Sequence, residues 1–159
     1  MCFRCRRRGS DHPCRGVDGS LSVDLLAAGY AVICQEREGA IPDADFWAFE
    51  CMENIVDTAP DLALACIIAT LKLLTSDYQI SVLAAGPMED LMVRHGPRMI
   101  AAVERAAVDP AFRHLLSGIW GENRINPGVW RRVQSAVQNG PWLDEDPRTP
   151  QGSRLTKDG

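Results

Sequence analysis

An all-α fold is what this chain predicts: an irregular bundle of about six to seven short helices, or a short stack of helical hairpins. Three observations predict it. Apolar residues recur at i, i+3, i+4 and i+7 along most of the chain. Proline and glycine pairs punctuate these runs where helices start and stop. Strict apolar–polar alternation is hard to find, and Asn139-Gly140 runs into a proline rather than a second strand.

The elements follow in order. Residues 1–20 form a Cys- and Arg-rich segment broken by Gly9, Pro13, Gly16 and Gly19, expected to be flexible and to lie outside the helical domain of 21–140. A first helix runs from Ser22 to about Gln35, with Val23, Leu26, Ala27, Tyr30 and Cys34 at helical spacing and Gly29 weakening it. Asp43 suits the N-cap of a second helix over about 44–58, whose apolar stripe is Phe49, Met52, Val56 and Ala59, widened by Trp47, Cys51 and Ile55. Pro60 opens a third, and its run LALACIIA from Leu62 is apolar all round, which predicts a central, buried helix.

Ser76 with Gln79 makes a capping box for a fourth helix ending near Ala85. Gly86-Pro87 and Gly96-Pro97 each place a helix terminator before a helix starter, so the spacing predicts two short helices, about 87–95 and 97–108. Asp109-Pro110 starts another, with Phe112, Leu115, Leu116, Ile119 and Trp120 on one inward stripe. Asn126-Pro127 starts the last, with Val129, Trp130, Val133 and Val137 facing in. Residues 141–159 are expected to be a flexible tail.

Composition narrows the function classes. The chain has 159 residues, 46% apolar and 24% charged, enough for one core. The net charge of −4 is uneven: residues 1–15 hold five arginines against Asp11, leaving the other 144 residues with 12 basic and 20 acidic side chains, a formal −8. An acidic body repels phosphate backbones and anionic lipid and suits a basic protein partner, so a protein is the expected partner and nucleic acid is disfavoured. The longest unbroken apolar run, Leu62 to Ala69, is too short to span a bilayer, and no apolar stretch follows the basic N-terminus. A cytoplasmic protein with Cys34, Cys51 and Cys66 as buried thiols is the expectation.

The stretches FWAFECMENIVDTAPDLALACIIATL (Phe46 to Leu71), LAAGPMEDLMVRHG (Leu83 to Gly96) and VERAAVDPAFRHLLSGIW (Val103 to Trp120) resemble a bacterial family of unknown function. That family has a Phe-Trp-Ala-Phe opening and a Gly-Pro-Leu-Glu-Asp-Leu-Leu-like centre. Here the centre is Gly86 to Met92, with methionine in place of two leucines, a volume-conserving change. The resemblance covers about residues 43–137. It implies a helical fold and a bacterial origin, and no activity.

Candidate sites come next. Adjacent Glu89 and Asp90 could act as acid and base only if they converged, whereas neighbouring helical residues diverge by about 100°. Acids in a first helical turn also suit the positive end of the dipole. His95 is expected at the end of its short helix, where it can bond terminal carbonyls. Cys2, Cys5, His12 and Cys14 are zinc-ligand types at the N-terminus, although the loop between the pairs is shorter than most structural zinc modules. Arg4 and Arg6 to Arg8 have only Phe3 to support base stacking.

No catalytic set assembles. The leading expectation is a non-enzymatic helical protein-binding module, of an accessory or immunity type, using the acidic residues Glu50, Glu53, Asp57, Glu89 and Asp90. The alternatives are a small metal-dependent or acid–base hydrolase through Glu89, Asp90 and His95, and a nucleic-acid accessory acting through the Arg-rich N-terminus. No cofactor is expected apart from zinc at the N-terminal cluster.

Overall fold

The computed structural model describes residues 13–16, 18–35, 41 and 44–143. Cys2, Cys5, His12, the first four arginines, Asp43 and the tail from Asp144 lie outside the described residues. Among the described residues the protein is all-α, with seven α-helices and no strand beyond an isolated antiparallel bridge between Arg15 and Leu21. The helices are α1 (Val23–Ile33), α2 (Phe46–Thr58), α3 (Pro60–Leu71), α4 (Asp77–Leu83), α5 (Glu89–Ala106), α6 (Pro110–Ser117) and α7 (Pro127–Val137).

Short polar side chains set most of the starts. Ser22 accepts from Leu25 N at the head of α1. Ser76 and Gln79 bond reciprocally to each other's backbone as the expected capping box of α4. Asp109 and Asn126 cap α6 and α7, each followed by proline at N1. α2 opens at Phe46, two residues later than the spacing predicts, and Asp45 at its N-cap makes no side-chain cap bond.

α3 is the centre of the bundle, packed against α1, α2, α5 and α6. Its all-round apolar sequence is the cause: Ala63, Leu64, Cys66, Ile67 and Leu71 are all buried there. The one polar side chain fully buried in it, Thr70, bonds back to Cys66 O at 2.8 Å and so needs no outside partner. Gly29 serves packing. A Cβ there would stand 2.5 Å from the Trp47 ring, so glycine lets α1 and α2 approach closely.

The two Gly-Pro pairs behave differently from each other. At Gly86-Pro87 the chain makes a π turn over Ala84–Met88, with Gly86 out of helical conformation at φ −98°, ψ −110°, and α4 is redirected into α5. At Gly96-Pro97 the expected break does not occur. α5 runs through Pro97 as one 18-residue helix. The apolar face decides this: Leu91 and Met92 before the pair, and Met99, Ile100 and Val103 after it, are all buried along one side. Losing one backbone hydrogen bond at proline is offset by keeping that whole face in the core. Gly96 is instead a contact point, because a Cβ would lie 2.9 Å from Val129 Cγ1 of α7.

Both ends of the described chain join the core. Cys14 is fully buried, and its carbonyl accepts from Ser22 N at 2.8 Å. Leu143 is buried and its N–H donates to Ser117 Oγ at 2.8 Å. The packed body therefore takes in residues on both sides of the expected 21–140 boundary.

Cys34, Cys51 and Cys66 are buried, as expected. Burial pushes the thiols of Cys34 and Cys66 up to about 12 from their ordinary 9.0. A raised folded-state value means the thiol form is favoured by folding, so their contribution to stability is complete below pH 9 and fades as pH climbs toward 12. At pH 8 both are expected to resist a thiol reagent such as DTNB in native protein and to react only as the chain unfolds. Rapid native labelling of either, located by mass spectrometry, would contradict their placement.

Candidate functional site

The face shared by α2, the start of α5 and the loop after α6 gathers the charges. α2 carries Glu50, Glu53 and Asp57 at helical i, i+3, i+7 spacing. α5 brings Asp90 and Arg94 alongside, one turn apart. Arg94 Nη1 donates to Asp57 Oδ1 at 3.0 Å, and its Nη2 lies 3.9 Å from both Glu53 Oε2 and Asp90 Oδ2. One turn further along, Arg98 pairs with Asp61 at the head of α3. Glu50 is half-buried on α2, and among the described residues no ion pair joins it to these arginines.

Glu89 is the unusual member. Its side chain is only 7% exposed, yet it is bonded on both oxygens. Arg124 Nη1 donates to Oε1 at 2.6 Å and the backbone N–H of Trp120 donates to Oε2 at 3.0 Å. Arg124 Nη2 also reaches Asp90 Oδ1 at 3.3 Å. Glu89 and Asp90 diverge from the helix as expected, but one guanidinium placed between their directions takes both. A buried carboxylate with two charge-compatible donors is satisfied and holds what it touches. Here it holds the loop from Gly118 to Asn126 against α5.

That loop presents Trp120. The stripe Phe112, Leu115, Leu116 and Ile119 is buried, but Trp120 is 74% exposed, a correction to its expected inward place. The reason is local. α6 ends at Ser117, so the 100° step per residue that would have returned position 120 to the core no longer applies. Trp47 and Trp130 do pack against the core.

His95 stands apart from this seam. It lies in the middle of α5 rather than at a helix end. At 100° per residue it is roughly 120–140° round the helix from Glu89 and Asp90. Its Nε2 is buried with no hydrogen-bond partner among the described residues. The structure therefore joins Glu89 to Asp90 but does not bring His95 to them. His114 Nε2 lies 2.9 Å from Asp77 Oδ1, linking α6 to the start of α4.

Beneath the seam sits Tyr30 of α1. Burial pushes its hydroxyl well above the usual tyrosine value, and the nearby Cys34 thiol and the carboxylates of Glu53 and Asp90 add to the effect. A Cβ on Gly86 would lie 3.5 Å from that hydroxyl, which places the π turn at the same spot. Among the described residues no three metal-ligating side chains come together. Of the N-terminal zinc candidates only Cys14 is described, and it belongs to the apolar core.

Sequence reasoning missed Arg94, Arg124, Tyr30 and the outward turn of Trp120. Arg94 was legible as the i+4 partner of Asp90. Arg124 was not, since it reaches Glu89 across 35 positions.

A family profile matches residues 35–140, two thirds of the chain. The chain belongs to the DUF6869 family, a family of unknown function. The matched region of this DUF6869 protein contains α2 to α7, and with them every residue of the seam from Glu53 to Arg124. It starts after α1, so Tyr30 lies outside it. No curated protein and no solved structure matches the chain. No helix among the described residues is long and apolar enough to cross a membrane.

Proposed function

We propose that this DUF6869 protein is a non-enzymatic binding module that docks a basic protein on the seam between α2, α5 and Trp120. The observation that carries the reading is Trp120: 74% exposed, yet anchored through its own backbone to a buried carboxylate. Tryptophan, with tyrosine and arginine, is enriched among the few residues that carry most of the binding energy of protein interfaces. Around it, four carboxylates (Glu53, Asp57, Glu89 and Asp90) face two arginines (Arg94 and Arg124), so the seam keeps a negative surplus. Such a surplus speeds the approach of a positively charged partner and selects against acidic ones.

An accessory or immunity-type role, masking another protein, fits this chemistry. A bacterial origin and a cytoplasmic location belong to the same proposal. The hydrolase alternative through Glu89, Asp90 and His95 gains no support from a histidine on another side of α5. The nucleic-acid alternative rests on arginines outside the described residues.

The test is affinity capture from a lysate of the source organism, with Trp120→Ala and a Glu53→Arg, Asp57→Arg double variant in parallel. A stoichiometric partner is expected that is lost from both variants and weakens as salt rises. A partner retained by both variants, or none above background, overturns the reading.

A further inference from the structure

A concave feature lies about 20 Å further along α5 from Glu89, at 1.5 Å per residue. It is an open cleft of about 500 Å³ between the end of α5, the start of α6 and the end of α7. Glu104, Arg113, Arg132, Ser135 and Asn139 supply its polar lining, and Ala107, Val108 and Ala136 its apolar wall. The volume falls within the range of small-molecule sites.

Both arginines are held in place by bonds that leave donors over. Arg113 Nε donates to Gly140 O at 3.0 Å, and its Nη1 donates to Ala107 O at 2.8 Å and Val108 O at 3.0 Å. Arg132 grips Glu104 side-on through Nε and Nη2. A guanidinium has five N–H donors. The bonds made to described residues use Nε and Nη1 of Arg113 and one edge of Arg132, leaving Nη2 of the first and Nη1 of the second.

Charge points the same way. Arg132's hydrogen bonds hold the Glu104 carboxyl below the usual range, so this carboxylate is committed to its partner. Two guanidiniums against one carboxylate leave a positive charge in a cleft of an otherwise acidic body. The carbonyl ends of α5 and α7 would repel an anion. Arg113 answers this by taking the carbonyls of Ala107 and Val108 after α5 and of Gly140 after α7.

We propose that this cleft binds a small organic oxyanion, a carboxylate or a phosphate, between Arg113 and Arg132, with its apolar part against Val108 and Ala136. Ser135 and Asn139 then bond the remaining oxygens from the α7 rim. The site is separate from the protein-docking seam, so either can fail without the other.

The experiment is an NMR titration of the full ¹⁵N-labelled chain with benzoate, inorganic phosphate and, as the uncharged counterpart of benzoate, benzamide. Saturable shifts of the Arg113 and Arg132 Nε–H signals and of the Ser135 and Asn139 amides are expected with benzoate. Phosphate acting in place of benzoate would assign the ligand to the phosphate class and leave the apolar wall unused. Benzamide is expected to do nothing. Arg132→Gln is expected to weaken the anion about ten-fold or more, as loss of a charge-assisted hydrogen bond does. Asn139→Asp, an exposed change that puts a negative charge on the rim, is expected to weaken it too, independently of any effect of the first variant on folding. No saturable shift with either anion, equal shifts with benzamide, or affinity unchanged in both variants overturns the proposal.

Discussion

Replacing Phe112 by alanine is expected to lower the unfolding free energy by about 3–5 kcal/mol, the range for emptying a buried aromatic site. Replacing Trp120 is expected to change it by no more than about 0.5 kcal/mol. The two residues sit on what the sequence presents as one inward stripe, eight positions apart. Phe112 is 1% exposed and Trp120 is 74% exposed. Urea unfolding of the two alanine variants measures the contrast directly. Equal and large losses would mean that the stripe continues and that Trp120 is a core residue. A near-silent Trp120→Ala that unfolds like the parent, yet no longer captures a partner, separates docking from folding in a single variant.

Glu89→Ala carries the second large effect, about 2–3 kcal/mol. The change removes the acceptor of the Trp120 N–H and the stronger of Arg124's two carboxylate bonds. An unsatisfied, partly buried donor costs roughly 1–3 kcal/mol, and a bond to a charged group contributes at the upper end of such values. Glu89→Gln keeps an acceptor for Trp120 and is expected to recover part of the loss. Asp57→Ala is expected to cost less than about 1 kcal/mol, because its side chain is 64% exposed and surface pairs contribute little. Chemical denaturation of the three variants gives the ranking. A Glu89→Ala protein as stable as Asp57→Ala would show that Glu89 does not hold the loop. Amide exchange adds a second reading: the backbone of Gly118 to Asn126 should lose protection in Glu89→Ala before the rest of the chain does.

Much of the seam was visible residue by residue and invisible as an assembly. Glu50, Glu53 and Asp57 could be chosen from the sequence as the polar side of one helix and Glu89 and Asp90 as acids in a first helical turn, and the structure brings four of the five together at Arg94 and Arg124. What the sequence could not show is that Arg94, besides its i+4 neighbour Asp90, reaches Glu53 and Asp57 on α2, and that Arg124, 34 positions past Asp90, takes both Glu89 and Asp90. Nor could it show that Glu89 is buried while Asp57 is open, because helical spacing gives an angle round an axis and not the position of the next helix. The His95 rationale depended on a helix end at Gly96, and it lost its basis when α5 proved continuous.

By itself the sequence determined the class of fold, the positions of most helix starts, and the identity of the central helix. These are local matters. Capping by Ser22, Ser76, Asp109 and Asn126 is settled within three residues, and an apolar run with no polar face can only be buried. Tertiary structure alone decided whether a Gly-Pro pair breaks a helix, which way Trp120 turns, and which acid meets which arginine. Gly86-Pro87 bends the chain and Gly96-Pro97 does not, although the dipeptides are identical. The difference is what lies beside them: a tyrosine hydroxyl near the first and a packed valine against the second, with a buried apolar face on both sides of Pro97. A proline inside a helix costs about 3 kcal/mol and a buried apolar side chain contributes about 2. The run of Leu91, Met92, Met99, Ile100 and Val103 on one buried face therefore outweighs it, and packing, which no window of sequence contains, takes precedence over punctuation.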